Sequence, residues 1–150
     1  MLGNLVLVEK KNFLSKSECV DLIDFYYKNL NETFSFGDTF PLDVNLGPIE
    51  DSILQECKEY DENIILDTCQ IVKWPVGSSM DPHTDDDGDV FAAIVYLNDN
   101  YVGGETCFRH THVVPETGKL VFFSSSKITH AVSVVEDSAR YTLALWFKEK

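Results

Sequence analysis

The sequence lacks several features that mark whole classes of protein. No apolar run reaches the length of about 18 residues that a transmembrane helix needs, so we expect no membrane span. Residues 1–10 carry no basic segment followed by a long apolar core, and no signal peptide is expected. Positive charge is scarce: 12 Lys and Arg stand against 25 Asp and Glu, a net charge of −13 at pH 7. Nucleic acid is therefore not expected as a general partner, because phosphate binding needs a basic surface.

Cysteine is also sparse and shows no CxxC pair. The four cysteines, Cys19, Cys57, Cys69 and Cys107, are scattered along the chain, which argues against a disulfide framework or a structural zinc site. We expect buried free thiols in a reducing compartment and hence a cytoplasmic location. With 44% hydrophobic and 12% aromatic residues, the 150 residues suffice for a single domain with a packed core.

The first part of the chain, about residues 1–62, is predicted to be mainly helical. After a short apolar strand at residues 5–8, Ser15 and Glu18 have the spacing of a capping box, and apolar residues at helical spacing predict a helix over residues 16–30. Residues 31–47 are expected to form an irregular loop. Pro48, favoured in a first helical turn, begins a second predicted helix that runs to about residue 61.

The pattern changes to strands and turns from about residue 63 to residue 150. Apolar runs separated by Gly, Pro and Asn predict seven or eight strands, and such spacing is typical of an all-β sandwich or barrel. The two preceding helices would pack on the outside of this sheet structure. The predicted strands cover residues 64–74, 83–85, 90–97, 105–109, 119–123, 129–135 and 140–148.

The stretch His83-Thr84-Asp85 is the strongest candidate for a functional site. In an extended segment, residues two apart point to the same side, so one short strand can present an imidazole and a carboxylate to a single ion. The third candidate ligand is His130. Two His and one carboxylate form the facial triad of non-haem Fe(II) oxygenases. Arg140 follows ten residues after His130 and is a candidate partner for an anionic co-substrate.

Two other polar clusters in the chain contain possible metal ligands. We interpret Asp86, Asp87 and Asp89 as a solvated acidic loop. A calcium-binding EF-hand loop is not indicated, because the Glu that closes such a loop is absent here. His110 and His112 form a rival pair at the same spacing. They have no carboxylate on the same face, and we expect them on an edge or loop.

Several motifs in the chain together carry a family resemblance that spans roughly residues 64–147. They are His83-Thr84-Asp85, residues 94–98 (IVYLN), residues 103–106 (GGET), Pro115 with residues 118–123 (GKLVFF), His130 and residues 140–147 (RYTLALWF). In order and spacing this set resembles the prolyl 4-hydroxylase-like branch of the Fe(II)- and 2-oxoglutarate-dependent dioxygenases.

The resemblance implies a mainly β fold, a double-stranded β-helix or jelly-roll, with the two helices outside it. It implies that His83, Asp85 and His130 bind Fe(II), and that 2-oxoglutarate chelates this iron while its far carboxylate meets Arg140. The implied reaction consumes O2, releases succinate and CO2, and hydroxylates a C–H bond, most simply of a prolyl residue in a peptide or protein. Ascorbate is a further expected cofactor of such an enzyme.

The pattern of the last strand agrees with this pocket. Arg140, Thr142, Ala144 and Trp146 alternate toward one side, which is expected to face the co-substrate, while the residues between them are apolar. The resemblance also implies that Tyr96 lies beside the far carboxylate. Trp74 stands where the family often has Tyr, and its indole N–H can donate a hydrogen bond but cannot accept one.

Two alternatives remain open at the level of sequence. The first is a cupin-like metal enzyme that does not use 2-oxoglutarate, which would have no need for Arg140. The second is a non-catalytic jelly-roll binding module, which would have no reason to keep the whole set of candidate residues. Asp85 favours hydroxylation over halogenation, because related halogenases leave the carboxylate position empty. Residues 31–47 and 85–89 are the expected cover of the site.

Overall fold

The computed structural model describes residues 5–85 and 88–150. In these residues the chain forms two α-helices, α1 (Lys16–Lys28) and α2 (Pro48–Cys57), and a 3₁₀ helix at Leu30–Glu32. The twelve strands of the described residues are β1 (Leu7–Lys10), β2 (Phe40–Asp43), β3 (Ile64–Trp74), β4 (Met80–His83), β5 (Phe91–Tyr96), β6 (Val102–Gly103), β7 (Thr106–Phe108), β8 (His112–Val113), β9 (Leu120–Phe123), β10 (His130–Val132), β11 (Val135–Glu136) and β12 (Arg140–Glu149).

The strands form a jelly-roll, which confirms the predicted fold class. A six-stranded sheet has the order β1-β9-β5-β12-β3-β2, and a four-stranded sheet has the order β4-β10-β7-β8; β11 and β6 form a separate pair. The long strand β12 lies near the middle of the large sheet, paired with β3 on one side and β5 on the other. Because β12 is central, one of its faces can line an interior space while the other packs on the helices.

Both helices lie on the outer face of the large sheet, as predicted. Apolar residues of α1 and α2, among them Leu22 and Ile53, are buried in one core with Leu143 and Leu145 of β12. The expected capping box is present at the start of α1, where Ser15 accepts from the Glu18 amide and Glu18 accepts from the Ser15 amide. Both helices end earlier than predicted, at residues 28 and 57, and α2 gives way to a turn.

The prediction of an irregular loop over residues 31–47 is wrong in part. Residues 40–43 form β2, which pairs with β3 at the edge of the large sheet. Pro41 argued against a strand, since proline has no amide hydrogen for a sheet ladder, but an edge strand tolerates it. β1 also joins the large sheet, through β9. The part of the chain before residue 63 therefore contributes two strands as well as the helices.

The predicted strand over residues 129–135 is divided in two. β10 belongs to the small sheet, and β11 pairs with β6, which lies between the predicted strands at residues 90–97 and 105–109. The chain bends between them, where Ser133 donates to the carbonyl of Glu105 and the carbonyl of Val134 accepts from Gly104. All four cysteines are free thiols, as expected, but only Cys19, Cys57 and Cys69 are buried, and Cys107 is partly exposed. No helix in the described ranges is long and apolar enough to cross a membrane.

Candidate functional site

His83, Asp85 and His130 meet at one end of the sandwich. His83 is the last residue of β4 and His130 the first of β10, and the two are direct partners in the antiparallel pair. The Nε2 atoms of both histidines lie 3.5 Å from Asp85 Oδ1. Among the residues that the structure describes, this is the one group of three or more His, Cys, Asp or Glu close enough to hold a metal ion, with ligand atoms within 4.8 Å of one another.

The strand that carries His83 ends earlier than predicted. We expected residues 83–85 to form a strand that places His83 and Asp85 on one face, but β4 ends at His83 and Asp85 lies beyond it. The physical reason is a change of hydrogen-bond partner, because the Asp85 amide donates to the carbonyl of Ser125 at 2.9 Å and not to the neighbouring strand. The tertiary contact with Ser125 still brings the carboxylate to the two imidazoles.

Both imidazole rings are oriented by the same backbone arrangement. His83 Nδ1 lies 2.8 Å from the carbonyl oxygen of Asp81, and His130 Nδ1 lies 2.9 Å from that of Ile128. A carbonyl only accepts, so each Nδ1 carries the hydrogen and each Nε2 presents a lone pair. This is the tautomer that a metal ligand needs, with the outer nitrogen held by a second group.

The carboxylate of Asp85 is also held from behind. The indole N–H of Trp146 donates to Asp85 Oδ2 at 3.2 Å, which leaves Oδ1 facing the histidines. Burial disfavours the charged carboxylate, but without a metal the hydrogen bond and charge of protonated His130, together with the charge of protonated His83, outweigh burial and lower the pKa of Asp85. A metal ion would take the place of the Nε2 protons, and the three side chains would then offer two neutral nitrogen donors and one anionic oxygen, a donor set that fits Fe(II).

The triad lies on the wall of a cavity of about 680 Å³ between the large and small sheets. The alternating residues of β12 line it as predicted, while the residues between them belong to the apolar core. We call the part around His83, Asp85 and His130 the triad end. Five lining residues are exposed and mark the mouth of the cavity: Phe34, Phe36, Asp81, Pro82 and Thr84.

Arg140 is a buried cation on the same cavity. Its side chain is 1% exposed, Nε donates to the carbonyl of Gly104 at 2.9 Å, and Nη2 donates to Thr106 Oγ1 at 3.4 Å. Its guanidinium carbon lies 4.7 Å from the ring centre of Trp74 and 5.5 Å from that of Tyr96. Within residues 5–85 and 88–150, no carboxylate forms an ion pair with Arg140. A buried charge without a counter-ion is costly, so this part of the cavity, which we call the arginine end, suits an anionic ligand.

The other predicted co-substrate residues differ in their position on the cavity. Trp146 lines it beside Asp85 at the triad end, whereas Trp74 and Tyr96 lie against Arg140. Thr142 and Trp74 line the cavity, and the buried Trp74 N–H has no hydrogen-bond partner in the described part of the protein. Tyr96 is buried but is not part of the lining, and its hydroxyl is hydrogen-bonded to Thr106. Thr106, which sequence reasoning did not single out, therefore connects Tyr96 to Arg140. Its place in the GGET motif was the available signal.

Among the described residues, none of the rival polar groups joins the metal-binding cluster of His83, Asp85 and His130. His110 and His112 are exposed as expected, but the expectation that no carboxylate shares their face is wrong, because Glu105 lies 3.8 Å from His112 across the β7–β8 pair. The solvated-loop prediction is also wrong for Asp89, which is 7% exposed and lines the cavity. Asp86 and Asp87 lie outside the described residues.

The fold and this arrangement define a class: a jelly-roll oxygenase with a two-histidine, one-carboxylate centre and a buried arginine on the same cavity. The sequence profile of the 2OG-Fe(II) oxygenase superfamily matches residues 69–148, more than half of the chain, and the protein belongs to this family. Its cofactors are therefore Fe(II) and 2-oxoglutarate, and the donor set described above fits the metal. No curated protein sequence matches the chain.

Solved structures with the same fold include several prolyl hydroxylases. A viral collagen prolyl hydroxylase from Paramecium Bursaria Chlorella virus-1, in complex with 2-oxoglutarate, has 20% identity and a TM-score of 0.78, with 96% of each chain covered. A prolyl-4-hydroxylase from Pseudomonas putida has 20% identity and a TM-score of 0.76 over 96% of this chain and 92% of that one. A prolyl hydroxylase from Trichoplax adhaerens, in complex with a hypoxia inducible factor peptide fragment, has 18% identity and a TM-score of 0.73 over 95% and 83%.

Proposed function

We propose that this protein is a dioxygenase that hydroxylates a prolyl residue in a peptide or protein substrate. In this proposal His83, Asp85 and His130 bind Fe(II) through the two Nε2 atoms and Oδ1. Arg140 binds the far carboxylate of 2-oxoglutarate. We also infer that the chain acts as one domain, because β1 and β2, from the part before residue 63, are hydrogen-bonded into the large sheet.

The observation that carries the co-substrate assignment is the environment of Arg140. Its guanidinium is buried at the cavity, and two of its donors are already directed by Gly104 and Thr106. The group remains without an anionic partner among the described residues. A ligand carboxylate would supply the missing charge, and the planar guanidinium suits such a group. A cupin-like enzyme that does not use 2-oxoglutarate would gain nothing from burying this cation.

Two further side chains fit the same ligand. The N–H of Trp74, which has no partner among the described residues, lies on the lining next to Arg140. Thr142 also lines the cavity, directly opposite Tyr96 in the β12–β5 pair. Each can donate one hydrogen bond to a carboxylate. Around them the lining is largely apolar, with Val72, Ala92 and Phe123 buried, which limits water near the ligand and strengthens charge interactions.

When bound, Fe(II) and 2-oxoglutarate supply the oxidising chemistry: O2 and 2-oxoglutarate are consumed, succinate and CO2 are released, and one oxygen atom enters a C–H bond. The protein's part is to hold and orient. His83 and His130 keep their Nε2 lone pairs directed because both Nδ1 atoms are tied to carbonyl groups. Trp146 engages Oδ2 of Asp85, so that Oδ1 is the oxygen available to the metal.

The similarity of the fold to solved prolyl hydroxylase structures supports a prolyl substrate. The three solved structures described above are named as prolyl hydroxylases, and the one from Trichoplax adhaerens was solved with a peptide fragment. The exposed aromatic side chains at the cavity mouth, Phe34 and Phe36, suit a peptide more than a small polar substrate.

The first experiment is an anaerobic Fe(II) titration with and without 2-oxoglutarate, followed through the weak visible charge-transfer band of the chelate. We expect the band in the wild-type protein and its loss in His83→Ala. Proline-containing peptides are then tested for a mass increase of one oxygen, coupled to succinate release. Iron binding without the band would favour the cupin-like alternative, and failure to bind iron would favour a non-catalytic module.

A further inference from the structure

The mouth of the cavity carries two phenylalanine side chains on one short hairpin. Phe34 is 41% exposed and Phe36 is 64% exposed, and both line the cavity. They are two residues apart in an extended segment, so their side chains point to the same side. We call this pair the aromatic ledge. Large apolar side chains grouped beside a cavity mark binding surfaces more often than isolated exposed ones do.

The ledge is held in place by hydrogen bonds. Phe36 and Thr39 exchange two backbone bonds of 3.0 Å around a turn, and Phe34 donates to the carbonyl of Pro41 at 3.1 Å. Gly37 occupies the turn with φ of +56°, a conformation that other residues adopt only with strain. Residues 40–43 then continue as β2 in the large sheet. The two phenyl rings are thus presented by a structured extension of the sheet edge.

The charge around the mouth is negative. Among the described lining residues, Arg140 is the one Lys or Arg, and it is buried at the arginine end. Asp81, on the edge strand β4, lines the mouth and is exposed, and Asp38 is exposed at the tip of the hairpin. Neither carboxylate makes an ion pair within the described ranges. A peptide that reaches the triad therefore passes an apolar surface flanked by uncompensated negative charge.

We propose that the aromatic ledge and Asp81 select an extended peptide with Lys or Arg within a few residues of the target proline. The ledge packs against the proline ring or an adjacent apolar side chain, and Asp81, with Asp38, attracts the basic residue. This mode joins apolar packing of an extended, proline-containing segment to charge complementarity, which sets specificity and association rate. The inference rests on the proposed function, since it names the substrate class of the same site.

The test uses the full chain and three peptides of equal length with one central proline, flanked by Lys, Ala or Glu. KM is measured from hydroxylation, and Kd from the anisotropy of labelled peptides with 2-oxoglutarate present. We expect the Lys peptide to bind about tenfold more tightly than the Glu peptide at low salt, and the difference to shrink at high salt. Asp81→Asn should reduce this difference, while Asp24→Asn, an exposed change on α1, should not.

The ledge is tested with the double variant Phe34→Ala/Phe36→Ala. We expect its Kd for all three peptides to rise by about tenfold or more, because aromatic anchors dominate such surfaces, with the Kd for 2-oxoglutarate unchanged. Phe25→Ala is the matched control, because Phe25 is 43% exposed on α1 and does not line the cavity.

The outcomes separate this inference from the proposed function. Equal affinity for the Lys and Glu peptides, or unchanged peptide binding by the double variant, overturns the ledge proposal even if proline is hydroxylated. If no peptide is hydroxylated, the prolyl assignment fails, and the anisotropy measurements still decide whether the ledge and Asp81 bind a basic peptide.

Discussion

The two ends of the cavity are built in different ways. At the triad end, His83 and His130 stand at the ends of short strands and Asp85 follows a strand, with side chains 35%, 10% and 15% exposed. At the arginine end, Arg140 begins the ten-residue strand β12 of the large sheet and is 1% exposed. Reacting groups at a strand end can be reached by a substrate, whereas a binding cation gains strength from burial. In the proposed function, the more exposed triad end is where the substrate reaches the metal, and the buried arginine end is where 2-oxoglutarate is anchored.

The largest effect is expected from removing a ligand at the triad end. His130→Ala should lower Fe(II) affinity by at least about 100-fold and reduce succinate formation to background, because even changes behind the ligands of a metal cost 10–100-fold. His112→Ala is the matched control, since His112 is exposed and pairs with Glu105. Iron binding measured under anaerobic conditions decides the matter. Retention of iron by His130→Ala would contradict the proposed ligand set.

The next largest effect is expected at the arginine end. Arg140→Ala should weaken 2-oxoglutarate binding by about 2–5 kcal/mol, or about 30-fold to several thousand-fold, because a charged partner of the ligand carboxylate is lost. Fe(II) affinity without 2-oxoglutarate should stay as in the wild type, which keeps the two ends distinct. Arg140→Lys, which keeps the charge, should recover part of the affinity. Equal 2-oxoglutarate affinity in all three proteins would exclude Arg140 as the anchor.

The two tryptophans of the chain allow the two ends of the cavity to be tested separately, because Trp146 contacts Asp85 and Trp74 lies against Arg140. Trp146→Phe removes the N–H that holds Asp85 Oδ2 and should weaken metal binding about 10–100-fold, as measured with Co(II) in the absence of 2-oxoglutarate. Trp74→Phe removes an N–H beside Arg140 and should leave Co(II) affinity unchanged while weakening 2-oxoglutarate binding. Thermal melts of both variants control for folding. The reverse pattern would show that the two roles are wrongly assigned.

The smallest expected effect concerns the support of Arg140. Gly104 has φ of +59°, and a Cβ there would lie 3.0 Å from Arg140 Cδ and 2.9 Å from the ring of Tyr101. Gly104→Ala should lower the free energy of unfolding by about 1–3 kcal/mol and weaken 2-oxoglutarate binding without changing metal affinity.

Gly77→Ala provides the comparison for Gly104→Ala. Gly77 also has positive φ, but a Cβ there would meet no atom within 4 Å, so its loss of stability measures the backbone strain alone. Denaturant unfolding gives the loss of unfolding free energy in both variants. The difference between the two losses is the part caused by the contacts of the added Cβ at Gly104. An equal loss of stability with unchanged 2-oxoglutarate affinity would mean that Gly104 does not support the arginine end.

The local sequence pattern was sufficient to predict the features of single helices and strands. The alternation along residues 140–147 predicted which side chains of β12 face the cavity and which enter the core, because side chains alternate strictly along a strand. The capping box of Ser15 and Glu18 and the position of Pro48 predicted where both helices begin. These features depend only on residues that are close together in the chain, so the sequence alone is sufficient to predict them.

Strand periodicity in the sequence was thus sufficient to predict a sandwich or barrel of strands, because periodicity is a local property. The family resemblance of the motifs added the jelly-roll and the roles of the candidate residues. How these residues come together depends on contacts between distant segments, which the folded structure reveals. The pairing of His130 with His83, the contact of Asp85 with Ser125 and the hydrogen bond from Trp146 join segments at least 40 residues apart, and no local preference specifies such contacts. The same holds for the aromatic ledge, which lies at the mouth because β2 joins the edge of the large sheet.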